Sequence, residues 1–204
     1  MHDRGDRFYP SRDPAAGLEE DQADFLDRGR ISLDLPSLFY ASLRDPRVFE
    51  VVVGRPMERT CRERVTVPGY STFEVDAGTG YPGVFQADEN TFLDGLLISD
   101  LTPFERTMVA WFEWDEYTLQ QVPLLDGRSA QVFIPDLDAI RSEYGSFKIR
   151  PWSFEHWRAG SIDVSVATAR DWMKQRPPDQ ALIDAGFFTG NDVQRRRRDR
   201  RSWG

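Results

Sequence analysis

The sequence predicts an α+β domain built around a mostly antiparallel or mixed sheet. Three observations predict it. Short apolar and β-branched segments recur between Gly, Pro and Asp punctuation. Only a few segments carry explicit helix-start signals. Strands and helices do not alternate one for one, which argues against a βαβ repeat.

Taken in order, Leu38-Phe39-Tyr40 reads as a short buried strand. Asp45-Pro46 then supplies an N-cap and a proline at the first helical position; the apolar run reaches Val53, and Gly54 ends the helix. Tyr70 to Val75, Gly83 to Phe85 and Leu93 to Ile98 are the next strands. Thr102-Pro103-Phe104-Glu105 is a capping box that opens a helix through Met108, Val109 and Phe112. Tyr117 to Leu124 and Ala130 to Ile134 follow as strands, and Asp126-Gly127 between them predicts a hairpin turn. Ser161 caps a last helix, whose Ile162, Val166, Ala169 and Met173 share one face; Pro177-Pro178 stops it.

Composition narrows the function. The chain has 204 residues and a net charge of −8, from 26 Lys+Arg against 34 Asp+Glu. Such a body stays soluble and repels nucleic acid and anionic membranes. The run Arg195 to Arg201 is the one basic feature, and it reads as a solvated end. No apolar run is long enough for a transmembrane helix, and the start at Met1 to Asp6 lacks the apolar core of a secretory signal, so a cytoplasmic protein is expected. Residues 1–34 read as a disordered acidic leader, 35–176 as the domain and 177–204 as a flexible tail. Cys61, His2 and His156 are too few for a zinc cluster or an internal disulfide, so no metal site is expected. Carboxylates, hydroxyls and backbone amides are left to carry any chemistry.

Two segments offer it. Tyr40-Ala41-Ser42-Leu43-Arg44-Asp45 joins a strand to a helix start, where free N–H groups suit a carboxylate or phosphate; an ordinary connection without a ligand is the other reading. Glu113, in Ala110-Trp111-Phe112-Glu113-Trp114-Asp115-Glu116-Tyr117, falls near the negative end of the capped helix, among aromatics. Both effects raise a carboxyl's proton affinity toward that of a general base. Solvated loop charges are the alternative there. His156 reads as a helix-face residue, Cys61 as a partly exposed thiol, and Trp152 and Trp157 as packing for the last helix.

Several motifs in a fixed order resemble the γ-glutamylcyclotransferase-like family. They are Leu38-Phe39-Tyr40-Ala41-Ser42-Leu43-Arg44-Asp45-Pro46, Val67-Pro68-Gly69-Tyr70, Tyr81-Pro82-Gly83-Val84, Asp94-Gly95-Leu96-Leu97, then Phe112-Glu113 and Glu116-Tyr117. The segment Trp152 to Arg158 resembles the helical ending of the plant avirulence-induced branch. The resemblance spans roughly residues 36–176. It implies a mixed, barrel-like sheet flanked by a few helices.

It also implies a reaction: intramolecular cyclisation of a γ-glutamyl amine or peptide to 5-oxoproline, without a cofactor. By match, Tyr40, Ala41, Ser42, Leu43, Arg44 and Asp45 cradle the γ-glutamyl group, and Glu113 takes a proton from its α-amino group. Tyr81, Pro82, Gly83, Trp114, Glu116 and Tyr117 are further pocket candidates. Three positions depart from the family: Ala41 stands for a usual glycine, Ala110 for a common Asp and Trp114 for a common Gly. A positive φ at Ala41 would be strained. A non-catalytic member that binds a small metabolite or a protein is the competing expectation.

Overall fold

The computed structural model describes residues 34–76, 81–113, 117–138, 141, 148–176 and 178. The expected leader (1–34) and tail (177–204) lie outside these residues, apart from Asp34 and Pro178.

Strand β1 (Ser37–Phe39) leads through a 3-10 turn, Ser42–Arg44, into helix α1 (Pro46–Val53). A second 3-10 turn, Met57–Arg59, precedes β2 (Arg62–Pro68), β3 (Tyr70–Asp76), β4 (Tyr81–Gln86) and β5 (Phe92–Ile98). Helix α2 (Pro103–Glu113) is followed by β6 (Tyr117–Pro123), β7 (Ser129–Pro135), β8 (Lys148–Pro151) and helix α3 (Phe154–Lys174). The class is α+β, with a mixed sheet: β1 runs antiparallel to β5 and parallel to β7. Among the described residues, no helix is long and apolar enough to cross a membrane.

The barrel-like closure expected from the resemblance is not what forms. The strands make two sheets, a 5-stranded one in the order β2-β5-β1-β7-β6 and a 3-stranded one in the order β4-β3-β8. The break falls at Pro68-Gly69. Gly69 makes one more ladder bond, its N–H donating to the Thr91 carbonyl at 2.8 Å, and then turns the chain at φ 76°, so β3 leaves β2 and pairs with β4 and β8.

Local chemistry explains the helix ends. The Asp45 Oδ1 accepts from the Arg47 N–H at 2.9 Å, and Gly54, at φ 79°, closes α1 by donating to the Glu50 carbonyl at 2.8 Å. The capping box of α2 is reciprocal. The Thr102 N–H donates to Glu105 Oε2 at 2.9 Å, and the Glu105 N–H donates to Thr102 Oγ1 at 3.2 Å. Glu105 is buried and also pairs with Arg55 Nε at 2.8 Å, which ties the end of α1 to the start of α2. Helix α3 starts two turns before the expected Ser161. Ser153 is its cap, accepting from the His156 N–H at 3.2 Å. The expected inner face still packs at Ile162, Val166 and Ala169, with Trp172 buried beside a partly buried Met173.

The period-2 alternation of β1 divides the core. Phe39 faces the helices, among Phe49, Val52, Val109, Phe112 and Val166. Leu38 and Tyr40 face the other way, with Val67, Val84, Leu93 and Val132. Gly95 of β5 is glycine because a Cβ there would run into Leu38 Cδ1. Tyr40 is thereby fixed at the end of β1 on the face away from the helices.

Candidate active site

Glu113 closes α2, where the negative helix end disfavours its charge. The residue keeps some exposed surface, yet burial of its carboxyl pushes the pKa up to about 8. Glu105, in the first turn of the same helix, is held by Arg55. No ion pair or hydrogen bond reaches Glu113 from the described residues. It is therefore an acid poised between its two protonation states near neutral pH.

Tyr40 is the group the fold brings to it. Burial holds the phenol well above its ordinary range, and the Glu113 charge raises it further. The Glu113 charge thus reaches a buried phenol far from it in sequence. The parallel pairing of β1 with β7, and the β6–β7 hairpin that follows α2, bring the two ends together.

The turn after Tyr40 is tight. The Arg44 N–H donates to the Ala41 carbonyl at 2.9 Å and the Asp45 N–H to the Ser42 carbonyl at 3.0 Å. The amides of Ser42 and Leu43 have no partner among the described residues, nor has the Ser42 hydroxyl. Leu43 is buried in the helix-side core and anchors the turn. Ala41 sits at φ −116°, so the left-handed strain expected at this position does not arise.

The other two members of the segment turn elsewhere. The Arg44 guanidinium lies 4.4 Å above the Phe154 ring, at the start of α3. Desolvation lowers its pKa, Glu155 and Asp94 raise it, and Arg64 lowers it; Glu113 exerts no comparable pull. The Asp45 carboxylate is fully engaged: Oδ1 caps α1 and Oδ2 accepts from Arg158 Nε at 3.0 Å. Arg158 escaped the sequence reading because nothing near it in the chain marks a partner at position 45.

Of the remaining candidates, Tyr117 is buried and its hydroxyl donates to the Pro82 carbonyl at 2.8 Å, linking β6 to β4 across the two sheets. Gly83 is packed so closely that a Cβ would sit 2.7 Å from Phe73 Cζ and from Pro135 Cγ. Trp114 and Glu116 lie outside the described residues, as does the Tyr81 side chain. Ala110 is buried within α2. His156 and Cys61 are exposed. Trp152, Phe154 and Trp157 cluster with ring centroids 5.6–6.4 Å apart where α3 begins. Among the described residues, no His, Cys, Asp or Glu group is arranged to hold a metal ion.

No protein-family model matches the chain, and no curated protein matches it. Among solved structures it is similar to the solution structure of the Arabidopsis thaliana protein At3g28950.1, at 19% sequence identity. That match covers 69% of this chain and 82% of the other, with a TM-score of 0.46. It is also similar to the solution structure of At5g39720.1 from Arabidopsis thaliana, at 23% identity, covering 72% of this chain and 100% of the other with a TM-score of 0.40.

Proposed function

We propose that the chain is a cofactor-independent γ-glutamyl cyclotransferase, converting a γ-glutamyl amine or peptide to 5-oxoproline and a free amine. One observation supports the reading: the Glu113 carboxyl is pushed up to about 8 by burial, with no ion pair from the described residues, and its charge reaches Tyr40.

An α-amino group has a pKa of about 8. A carboxylate of matched affinity takes its proton with little driving force against it, the condition for efficient general-base catalysis. Glu113 would accept one proton from the substrate's α-ammonium. The freed nitrogen attacks the γ-carbonyl carbon, forming the C–N bond of a five-membered ring and moving an electron pair to the carbonyl oxygen. When that oxyanion collapses, the bond to the leaving amine breaks; Glu113 gives its proton to the departing nitrogen and then relays the surplus proton of the ring nitrogen to it, leaving a neutral lactam N–H and a free ammonium. Nucleophile and carbonyl belong to one molecule, so holding them folded together supplies much of the acceleration.

The unpartnered amides of Ser42 and Leu43, with the Ser42 hydroxyl, are the donors suited to hold a substrate carboxylate or the developing oxyanion. Tyr40, kept protonated by burial and by the Glu113 charge, remains a donor throughout. We read a cytoplasmic enzyme, in keeping with a lone, exposed Cys61 thiol. The test is release of 5-oxoproline from a panel of γ-glutamyl amino acids and γ-glutamyl amines. Release from at least one member is expected. No release from any of them, with no binding, overturns the reading in favour of a non-catalytic protein.

A further inference from the structure

Helix α1 needs a cap at position 45 but not a charge, since asparagine caps a helix about as well as aspartate. The charge has another use. Asp45 is 1% exposed, and its second oxygen accepts from Arg158 Nε of α3 at 3.0 Å. Arg158 is itself mostly exposed, and an exposed pair would be worth little. A buried carboxylate is different, because water does not replace a lost partner: without Arg158, Asp45 keeps the longer Arg47 Nε contact to Oδ1, at 3.5 Å, while Oδ2 loses its donor.

Two further contacts run the same way. Arg44 stacks on Phe154, one turn before Arg158 on the same face of α3, and Arg47 Nη1 pairs with Asp163 at 2.9 Å. Each of these contacts joins the chain at 44–47 to the N-terminal half of α3. Asp45 also closes the 3-10 turn, through its N–H to the Ser42 carbonyl. Rotating Asp45 out of place would open the turn that presents the Ser42 and Leu43 amides.

We propose that the N-terminal half of α3 is a clasp that fixes the Ser42–Arg44 turn, with Arg158 as the positioning residue acting through buried Asp45. The clasp stands on the contacts alone; its effect on catalysis rests on the cyclotransferase reading. Because the turn would hold substrate and transition state alike, losing Arg158 should raise KM more than it lowers kcat.

Backbone hydrogen exchange on the full chain tests the clasp without any turnover. In Arg158→Met, the Arg44 and Asp45 amides should exchange about tenfold faster or more, while the sheet amides change by much less. Arg158→Lys should restore much of the protection. Lys174→Met, which removes the exposed pair with Asp171 farther along α3, should leave the turn unchanged. Unchanged protection at Arg44 and Asp45 in Arg158→Met overturns the proposal, as does an acceleration spread evenly through the sheets. With a γ-glutamyl substrate, Arg158→Met should raise KM about tenfold with kcat within about threefold of wild type; a loss confined to kcat overturns the positioning role. A wild type that releases no 5-oxoproline overturns the cyclotransferase reading, and the exchange result then decides the clasp by itself.

Discussion

Replacing Glu113 by glutamine should stabilise the fold, by an amount that grows with pH. Burial pushes this carboxyl from 4.5 to about 8, with no hydrogen bond or ion pair from the described residues to offset it. Below pH 4.5 the group is protonated in folded and unfolded chains alike, and it contributes nothing. Between pH 4.5 and 8 the unfolded chain loses the proton while the folded chain keeps it, so stability falls as pH rises. At roughly 1.4 kcal/mol per unit, the loss is about 3 kcal/mol at pH 7 and about 5 kcal/mol once pH exceeds 8. Glutamine carries no charge at any pH and removes the loss. For a domain of this size, the variant's Tm should match wild type near pH 4 and exceed it by about 6–12 °C at pH 7. Parallel thermal melts from pH 4 to pH 9 measure this. A Tm difference that stays constant with pH, or a variant less stable at pH 7, would refute the buried, unpaired carboxyl. The gain in stability should come with a loss of activity, as expected where a strained group does chemistry.

Other perturbations follow from the same geometry. Ser42→Ala should weaken binding of a γ-glutamyl ligand by roughly 1–3 kcal/mol, the worth of one buried donor, read by titration calorimetry. Arg55→Met should cost about 3–5 kcal/mol in denaturant unfolding, because it strands the buried Glu105 carboxylate; Arg55→Met with Glu105→Gln should recover much of that loss. Gly95→Ala should cost roughly 1–3 kcal/mol, since the new methyl group displaces Leu38 from the core face of β1.

Much of the fold was legible where local chemistry decides it. Asp45-Pro46 to Gly54 and Thr102 to Glu105 announce α1 and α2 because caps are short-range hydrogen bonds written in adjacent residues. The Asp126-Gly127 turn was readable for the same reason; Gly127 takes φ 86° and β6 pairs with β7 around it. Strand β2 was not, because Arg62, Glu63 and Arg64 are exposed and only Val65 and Val67 point into the core. Strand β8 is only 4 residues long, too short for a period to show. The cap signal at Ser161 puts the start of α3 two turns late, although Trp152 to Arg158 reads as part of a helical ending, because those turns dock through Arg158, Phe154 and Trp157 rather than through a regular apolar stripe. For the site, the helix end explains Glu113's position, but its nearness to Tyr40 depends on strand order that no local window contains. Arg44 and Asp45 carry the right charges for a ligand site, and tertiary contacts turn them toward α3 instead.

The cyclotransferase reading meets its most direct test in the pH dependence of 5-oxoproline formation by wild type and Glu113→Gln. For wild type, kcat/KM should rise about tenfold per pH unit below the base's pKa and level off near pH 8, where Glu113 is ionised. Glu113→Gln should bind the same substrate yet turn it over roughly 10²–10⁴-fold more slowly across the whole pH range, its remaining rise being that of the substrate's own α-amino group. A variant as active as wild type across that pH range would show that Glu113 is not the base.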